Sequence, residues 1–278
     1  MLRSLFSGVS GLRSHQVRMD VIGNNIANVN TSGFKSSRAN FQDTLYQLLR
    51  PASASNASSG LGGTNPNQVG LGTGISSITN NMGQGALQAT GRTLDLAIQG
   101  NGWFVVSPDG GNTKYYTREG IFYIDNAGYL VNSNGYQVLD TGGAPINFGT
   151  SGVATVNISM DGTITAKDLT GSVITITGTG KIGLAMFTNQ DGLERVAQNL
   201  YRESPASGAP IAPTTGDTFG TAGSGGYGTI NSGYLEMSNV DLSDEFTNMI
   251  ITQRGFQANA RVITVSDTLL QELVDLKR

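Results

Sequence analysis

Residues Ser238 to Arg278 limit the folds open to this chain more than any other stretch, because they read as a single long helix with two greasy sides. Ser238-Asn239-Val240-Asp241 is a helix-start pattern. A Ser hydroxyl can accept from an early backbone N–H, and an acid three residues on favours the positive helix end. No proline follows, and only Gly255 interrupts a pattern of roughly 35 residues, about 55 Å at the helical rise. At about 100° per residue, Leu242, Phe246, Met249, Ile250, Phe256, Ala260, Ile263, Leu270 and Val274 form one apolar stripe. Ile251, Ala258, Val262, Val265, Leu269, Leu273 and Leu276 form a second on nearly the opposite side. Arg254, Arg261 and Glu272 mark one polar seam between the stripes, and Asn248, Asn259, Ser266 and Lys277 mark the other. Two stripes call for two packing partners.

One partner is available at the other end of the chain. Leu2, Leu5, Val9, Leu12, Met19, Ile22 and Ile26 recur at steps of three and four, with Gln16 at the one missing step, which is coiled-coil seam spacing. Asn28-Val29-Asn30-Thr31-Ser32-Gly33 then supplies turn and C-cap chemistry. Arg3, Arg13, Arg18, Lys35, Arg38 and Arg50 outweigh Asp20 and Asp43 in the first fifty residues, whereas Asp241, Asp244 and Glu245 open the C-terminal helix. The two ends are electrically complementary. The pattern fits two helices packed on an ordinary core, and it also fits a helix pair that closes against copies of itself.

The composition removes several function classes. Charged residues are 13% and net charge is −3, neither a nucleic-acid-binding balance nor an acidic disordered tail. Cysteine is absent, so disulfides, thiolate metal sites and cysteine nucleophiles are excluded. No apolar run approaches the length of a membrane-spanning helix. Met1 to Phe6 lacks the unbroken apolar core and small-residue cleavage site of a Sec signal.

Taken in order, the chain reads helix, linker, β-rich middle, linker, helix, an α+β fold with a meander-like or barrel-like centre. A second short periodic stretch, Phe41, Leu45, Leu48 and Leu49, ends at Pro51. Ala52 to Gly74 is Ala/Ser/Asn/Gly-rich and reads as a connector. Leu96-Ala97-Ile98 and Trp103-Phe104-Val105-Val106 flank a turn at Gln99 to Gly102. Four short strands follow at residues 115–117, 121–124, 129–131 and 136–139, punctuated by glycine turns. More short strands lie between Val153 and Phe187, and Ser204 to Gly228 is a second Pro/Gly/Ser/Thr tract.

No catalytic constellation emerges. The one histidine, His15, lies inside the first helix and has no nucleophile in sequence reach. Gly178 to Gly183 matches G-x-G-x-x-G, but Leu184 to Phe187 after it reads as a strand rather than the helix a dinucleotide site needs, so a glycine-tolerant hairpin is the better account. Asp125 to Gly128 lacks the oxygen ligands of a calcium loop. No catalytic, cofactor-binding or metal-binding residue is expected, and the chain does not read as an enzyme.

Longer motifs carry a resemblance. Ile22 to Lys35, with Asn24, Asn25, Asn28, Gly33 and Phe34, resembles the N-terminal motif of the bacterial flagellar axial proteins, the rod and hook family. Asp95 to Val106, Tyr116 to Gly120 and Gly128 to Val131 resemble that family's first β-domain motif. Ser238, Asn239 and Val240, with Asn248-Met249-Ile250 and Gln253-Arg254, are similar to its C-terminal motif. Within the family, Phe6 to Leu12, Gln253 to Ala260 and the ending Leu273 to Arg278 look most like a short hook protein. The compact length and the Ala52–Gly74 stretch point to the distal rod as the alternative, with a secreted enzyme or an adhesin as remote alternatives.

The resemblance implies a subunit that polymerises into a helical tube around an export channel, as a hook a flexible universal joint that passes motor torque to the filament. Residues 1–33 and 236–278 would form the inner, polymerising part, 34–74 a connector, and 75–235 the outer β part with a short insertion near 149–180. The polymerising surfaces would be Leu2, Leu5, Val9, Leu12, Met19, Ile22 and Ile26 on the first helix. On the second they would be Leu242, Phe246, Met249, Phe256, Ile263 and Leu270, with Val262, Leu269 and Leu273 on its other stripe. In the free monomer both helices would be largely disordered. Expected partners are other copies, neighbouring rod, hook-cap and hook–filament junction proteins, and the flagellar export apparatus, with no nucleic acid and no membrane insertion. The resemblance places the chain outside the cytoplasm, in the hook or basal body, exported without a cleaved signal peptide.

Overall fold

The computed structural model describes residues 2–54, 62–149, 152–213 and 216–276. The chain divides into a helical unit (Met1–Ala27, Ser37–Asn80 and Asp241–Arg278) and a β unit (Asn28–Ser36 and Asn81–Val240). Two long helices and a strand-rich middle make it α+β, as the patterning requires.

In the helical unit, α1 (Leu2–Ala27) packs against α2 (Leu242–Asp275). Asp241, not Ser238, is the N-cap of α2: its carboxylate accepts from the Ser243 and Asp244 backbone N–H groups at 2.8 and 3.4 Å. The Ser238 hydroxyl accepts instead from the Val240 N–H in a turn before the helix. Both residues suit a cap, and the acid carries the charge that the positive helix end favours. The periodic stretch Phe41 to Leu49 is strand: β1 (Ser37–Asp43), broken by a bulge at Asn40/Phe41, and β2 (Tyr46–Arg50). Four apolar residues at steps of three and four are too few to separate the two periods. Their partners arise from the stretch read as a connector and the residues just after it, β3 (Asn67–Gly70) beside β2 and β4 (Thr73–Asn80) beside β1. Both β1 and β4 lie against α1.

The β unit begins with β5 (Leu87–Ala89), β6 (Leu96–Gln99), β7 (Trp103–Ser107) and β8 (Tyr115–Thr117). It continues with β9 (Phe122–Ile124), β10 (Leu130–Asn132), β11 (Gln137–Val138), β12 (Val153–Ile158), β13 (Ile164–Asp168) and β14 (Val173–Ile174). It ends with β15 (Leu184–Ala185), β16 (Glu194–Arg195), β17 (Leu200–Arg202), β18 (Thr229–Ser232) and β19 (Tyr234–Glu236). The main sheet runs β16-β17-β8-β7-β11-β10-β9, with β15 also on β7. So β9 to β11 form a true meander, while β8 lies on the far side of β7. The turn at Gln99–Gly102 does not close a hairpin: β6 pairs with β18, and β7 enters the main sheet. Strand alternation on β7 puts Phe104 and Val106 in one apolar cluster and Trp103 and Val105 in another, so both of its faces are core. The G-x-G-x-x-G segment opens no helix. Gly178 takes positive φ, a Cβ there would collide with the Asp140 carboxylate, and that carboxylate accepts from the Thr179 N–H at 2.8 Å. Its glycine makes room for an aspartate, not a phosphate.

Candidate functional site

The α1–α2 contact is a strict heptad seam, but not the apolar one. Antiparallel neighbours across it are Ser4 and Ser266 (3.4 Å), Arg18 and Asn248 (3.2 Å), and Asn25 and Glu245 (2.9 Å). Between them lie three glycine notches. A methyl added at Gly8 would stand 3.3 Å from Ile263, one at Gly11 2.6 Å from Asn259, and one at Gly255 2.7 Å from the His15 ring. With Ile22, the α1 positions Ser4, Gly8, Gly11, His15, Arg18, Ile22 and Asn25 step by fours and threes. On α2, Glu245, Asn248, Thr252, Gly255, Asn259, Val262 and Ser266 do the same. This seam is offset by one residue from most of the apolar series Leu5, Val9, Leu12, Met19 and Ile26, a rotation of about 100°. On α2 it is the Asn248–Asn259–Ser266 polar seam that faces α1. Thr252 and Ser266 are the buried residues of that helix, while both apolar stripes flank the contact.

Asn25 is fully buried and satisfies every hydrogen-bonding group of its amide. Its Oδ1 accepts from the Ser37 N–H at 3.0 Å, and its Nδ2 donates to the Ser37 carbonyl at 2.8 Å and to Glu245 Oε1. One side chain thereby ties α1, β1 and α2 together. Asn239 does the same work inside the β unit, accepting from the Ser36 N–H at 2.7 Å and donating to the Asn81 and Gly83 carbonyls at 2.8 and 3.0 Å.

The β unit also holds a buried ion node where Asn28–Ser36 lies among its strands. Lys35 Nζ meets Glu236 Oε1 at 2.6 Å, and Arg118 meets Glu236 Oε2 at 3.2 Å, all three side chains essentially inaccessible. Lys35 also donates to the Gly83 carbonyl at 2.8 Å and Arg118 to the Gly100 carbonyl at 2.9 Å, so both cations have further acceptors. Burial pulls both cations below their ordinary pKa, and the Glu236 charge opposes that fall. Arg195 donates to the Lys35 carbonyl and stacks 5.0 Å over the buried Phe34 ring. Gly33 has φ +69°, and a Cβ there would come within 2.7 Å of the Arg118 backbone. Its N–H donates to the Glu236 carbonyl at 2.8 Å. Both terminal motifs therefore do much of their work as internal clamps.

The residues expected to polymerise are distributed differently. Ile22 alone is buried; Leu5, Leu12, Met19, Ile26, Met249, Phe256, Ile263 and Leu270 are half-buried. Val9, Leu242, Phe246, Val262, Leu269 and Leu273 are exposed, Phe246 at 51%. The Leu2 side chain lies outside the described residues. Asn24, Gln253 and Arg254 are exposed, Val240 and Asn28 half-buried, and Asn28 Oδ1 accepts from the Thr31 hydroxyl. Lys35, Arg118 and Glu236 were not singled out as site residues. A signal existed for Lys35, a cation inside an otherwise apolar or amide motif of a chain poor in charge, but its partners lie 83 and 201 residues away. Among the described residues no group of three or more His, Asp or Glu could hold a metal ion, and no helix is long and apolar enough to cross a membrane.

Comparisons with known proteins agree with the motifs. Residues 5–35 match a flagella basal body rod protein model, residues 97–166 the flagellar hook protein FlgE/F/G D1 domain, and residues 231–276 the flagellar basal body rod FlgEFG protein C-terminal model. The flagellar basal-body rod protein FlgG of Bacillus subtilis is 50% identical over 278 residues, covering all of both chains. The FlgG of Borreliella burgdorferi is 38% identical over 283 residues, again covering both completely. The flagellar hook protein FlgE of the same organism is 30% identical, in an alignment stretched to 452 positions. With half its residues shared over the whole length of one such relative, the chain belongs to the flagellar rod and hook family.

Proposed function

We propose that this chain is a structural subunit of the distal rod, the drive shaft of the flagellar basal body, which assembles with copies of itself into a tube. The observation that carries the reading is its full-length match to basal-body rod proteins without large gaps, at 50% and 38% identity. The hook was the first expectation from the sequence. The order is reversed because hook relatives align only across more than 450 positions, which means that they carry long segments this chain lacks. The hook remains the second reading.

In this function α1 and α2 supply the polymerising part. Exposed apolar side chains such as Phe246, Ile250 and Leu269 have no cover among the described residues. A head-to-tail contact whose rotation does not close makes an open helical tube. The tube carries torque through side-by-side helices, and the clamped motifs stiffen each subunit. Its partners are other copies, adjoining rod and hook components, and the export apparatus through which the chain leaves the cytoplasm without a cleaved signal.

Electron microscopy of basal bodies from a deletion strain tests this reading. A rod truncated before its distal part is the expected result. A complete rod that lacks only its hook would transfer the chain to the hook.

A further inference from the structure

The α1–α2 seam buries the wrong residues for a contact built only for strength. A two-helix seam of Leu and Ile would hold more tightly, and polar seam positions are a known means of fixing register at a cost in stability. Here nearly every seam position is polar or glycine, Ile22 and Val262 being the exceptions, while the leucines and the other valines of both helices sit beside it. In four pairs, Ser4 with Ser266, Gly11 with Asn259, His15 with Gly255, and Asn25 with Glu245, the residue numbers add to one total, 270. A single register satisfies them all.

We propose that this seam is a register lock, and that its residues determine which surface of the helix pair is presented to other copies. The lock works by size and by hydrogen bonding together. Asn259 fills the Gly11 notch on α1, and the His15 ring fills the Gly255 notch on α2, so the knobs come from both helices and neither can slide alone. Slipping α2 by one heptad in one direction sets Gly8 against Gly255, two notches with no knob, and places Asn25 beyond the start of α2. Slipping it the other way drives His15 onto Val262 and separates Asn25 from Glu245. Either slip keeps the coiled-coil period but carries each exposed stripe about 10 Å along its partner. The polar seam therefore makes the alternative pairings costly and leaves both apolar stripes for neighbours. This deepens the self-assembly reading above and rests on it.

The absence of cysteine makes the test clean. Paired cysteines at S4C and S266C report the native register in the purified full-length chain, and S4C with N259C reports a one-heptad slip. In the otherwise unchanged chain, mild oxidation should give the first disulfide and almost none of the second. G255H closes the notch and should raise the slipped product by about tenfold, since register is a competition between pairings of similar period. It should also block ordered tube growth. The swap H15G with G255H moves the knob to the other helix and should restore both the native disulfide and tube growth. Circular dichroism of each variant confirms that the helices still form.

If G255H keeps only the native disulfide, or slips and still builds tubes as the unchanged chain does, the lock is refuted. Failure of the swap to restore the native disulfide refutes it as well. An unchanged chain that crosslinks in register yet never polymerises at any concentration would sink the self-assembly reading, and with it the lock's role in presenting a surface.

Discussion

The two units of this molecule treat their large apolar side chains differently. In the β unit, Trp103, Phe104, Phe122 and Leu130 are inaccessible, and the buried Lys35 and Arg118 both pair with Glu236. In the helical unit, Asn25, Thr252 and Ser266 are buried while Phe6, Phe246, Ile250 and Val265 face outward. Hydrophobic burial grows with apolar area removed from water, at roughly 25 cal/mol per Å². By that measure the β unit is finished as a monomer and the helical unit is not. The difference separates two features of α1 and α2: a polar seam lies between them, and apolar side chains stay exposed beside it.

The largest expected effect would break this contrast outright. Phe246→Asp, on an exposed apolar stripe of α2, should abolish tube formation in a sedimentation assay and leave the β unit folded by Trp103 fluorescence. Normal tubes from that variant would show that the stripe is idle. Next comes the ion node. Glu236→Ala leaves two buried cations without their anion and should cost the β unit about 3–5 kcal/mol, whereas replacing all three charged side chains by apolar ones of similar volume should cost much less. Trp103, the single tryptophan, lies 5.3 Å from the Arg118 guanidinium, so its fluorescence during urea unfolding reads this unit. A loss below 1 kcal/mol would mean that the node is open to water.

The paired asparagines sharpen the comparison at smaller scale. Asn25→Ala, which removes hydrogen bonds from partly buried backbone groups, should cost about 1–3 kcal/mol, and Asn239→Ala, whose carbonyl partners at Asn81 and Gly83 are exposed, should cost about 1 kcal/mol. The first should appear in the helical signal and the second in Trp103 fluorescence. A single shared transition for both variants would mean that the two units unfold as one.

How much of this was legible depended on range. Helix lengths and most of the strands follow from period and turn residues, which are local. The coiled-coil spacing was also legible, but the seam was assigned to Leu5, Val9, Leu12 and Met19 because apolar residues normally face inward. The true seam lies one residue back, at Ser4, Gly8, Gly11 and Arg18. Sequence period gives the pitch of a helix contact but not its phase when polar residues occupy the core positions. The node was invisible for a different reason, since nothing near Lys35 in sequence announces Arg118 or Glu236. Strands β1 and β2 were missed because their partners come from a Gly/Ser/Asn-rich stretch with no pattern of its own.

The smallest expected effect separates the units by sign. His15 lies between the Gly255 notch and the Phe41 ring, 5.5 Å away edge-on, and burial together with the Arg18 charge holds its pKa below 6.5. Arg38 and Asp43 on β1 and Arg254 on α2 are exposed. The unfolded chain therefore takes up this proton more readily, so stability from the neutral ring is present above pH 6.5 and is lost as pH falls through the lower folded value. In the β unit, burial raises the Glu119 carboxyl above 4.5, so the folded state binds that proton first and the unit gains stability as pH falls through the same side of neutrality. Urea unfolding followed between pH 7.5 and 5 should thus show the helical signal weakening while the Trp103 transition holds or strengthens. His15→Gln should flatten the helical response and leave the tryptophan response alone. Parallel acid loss in both signals, unchanged by that substitution, would remove His15 from the account of the seam.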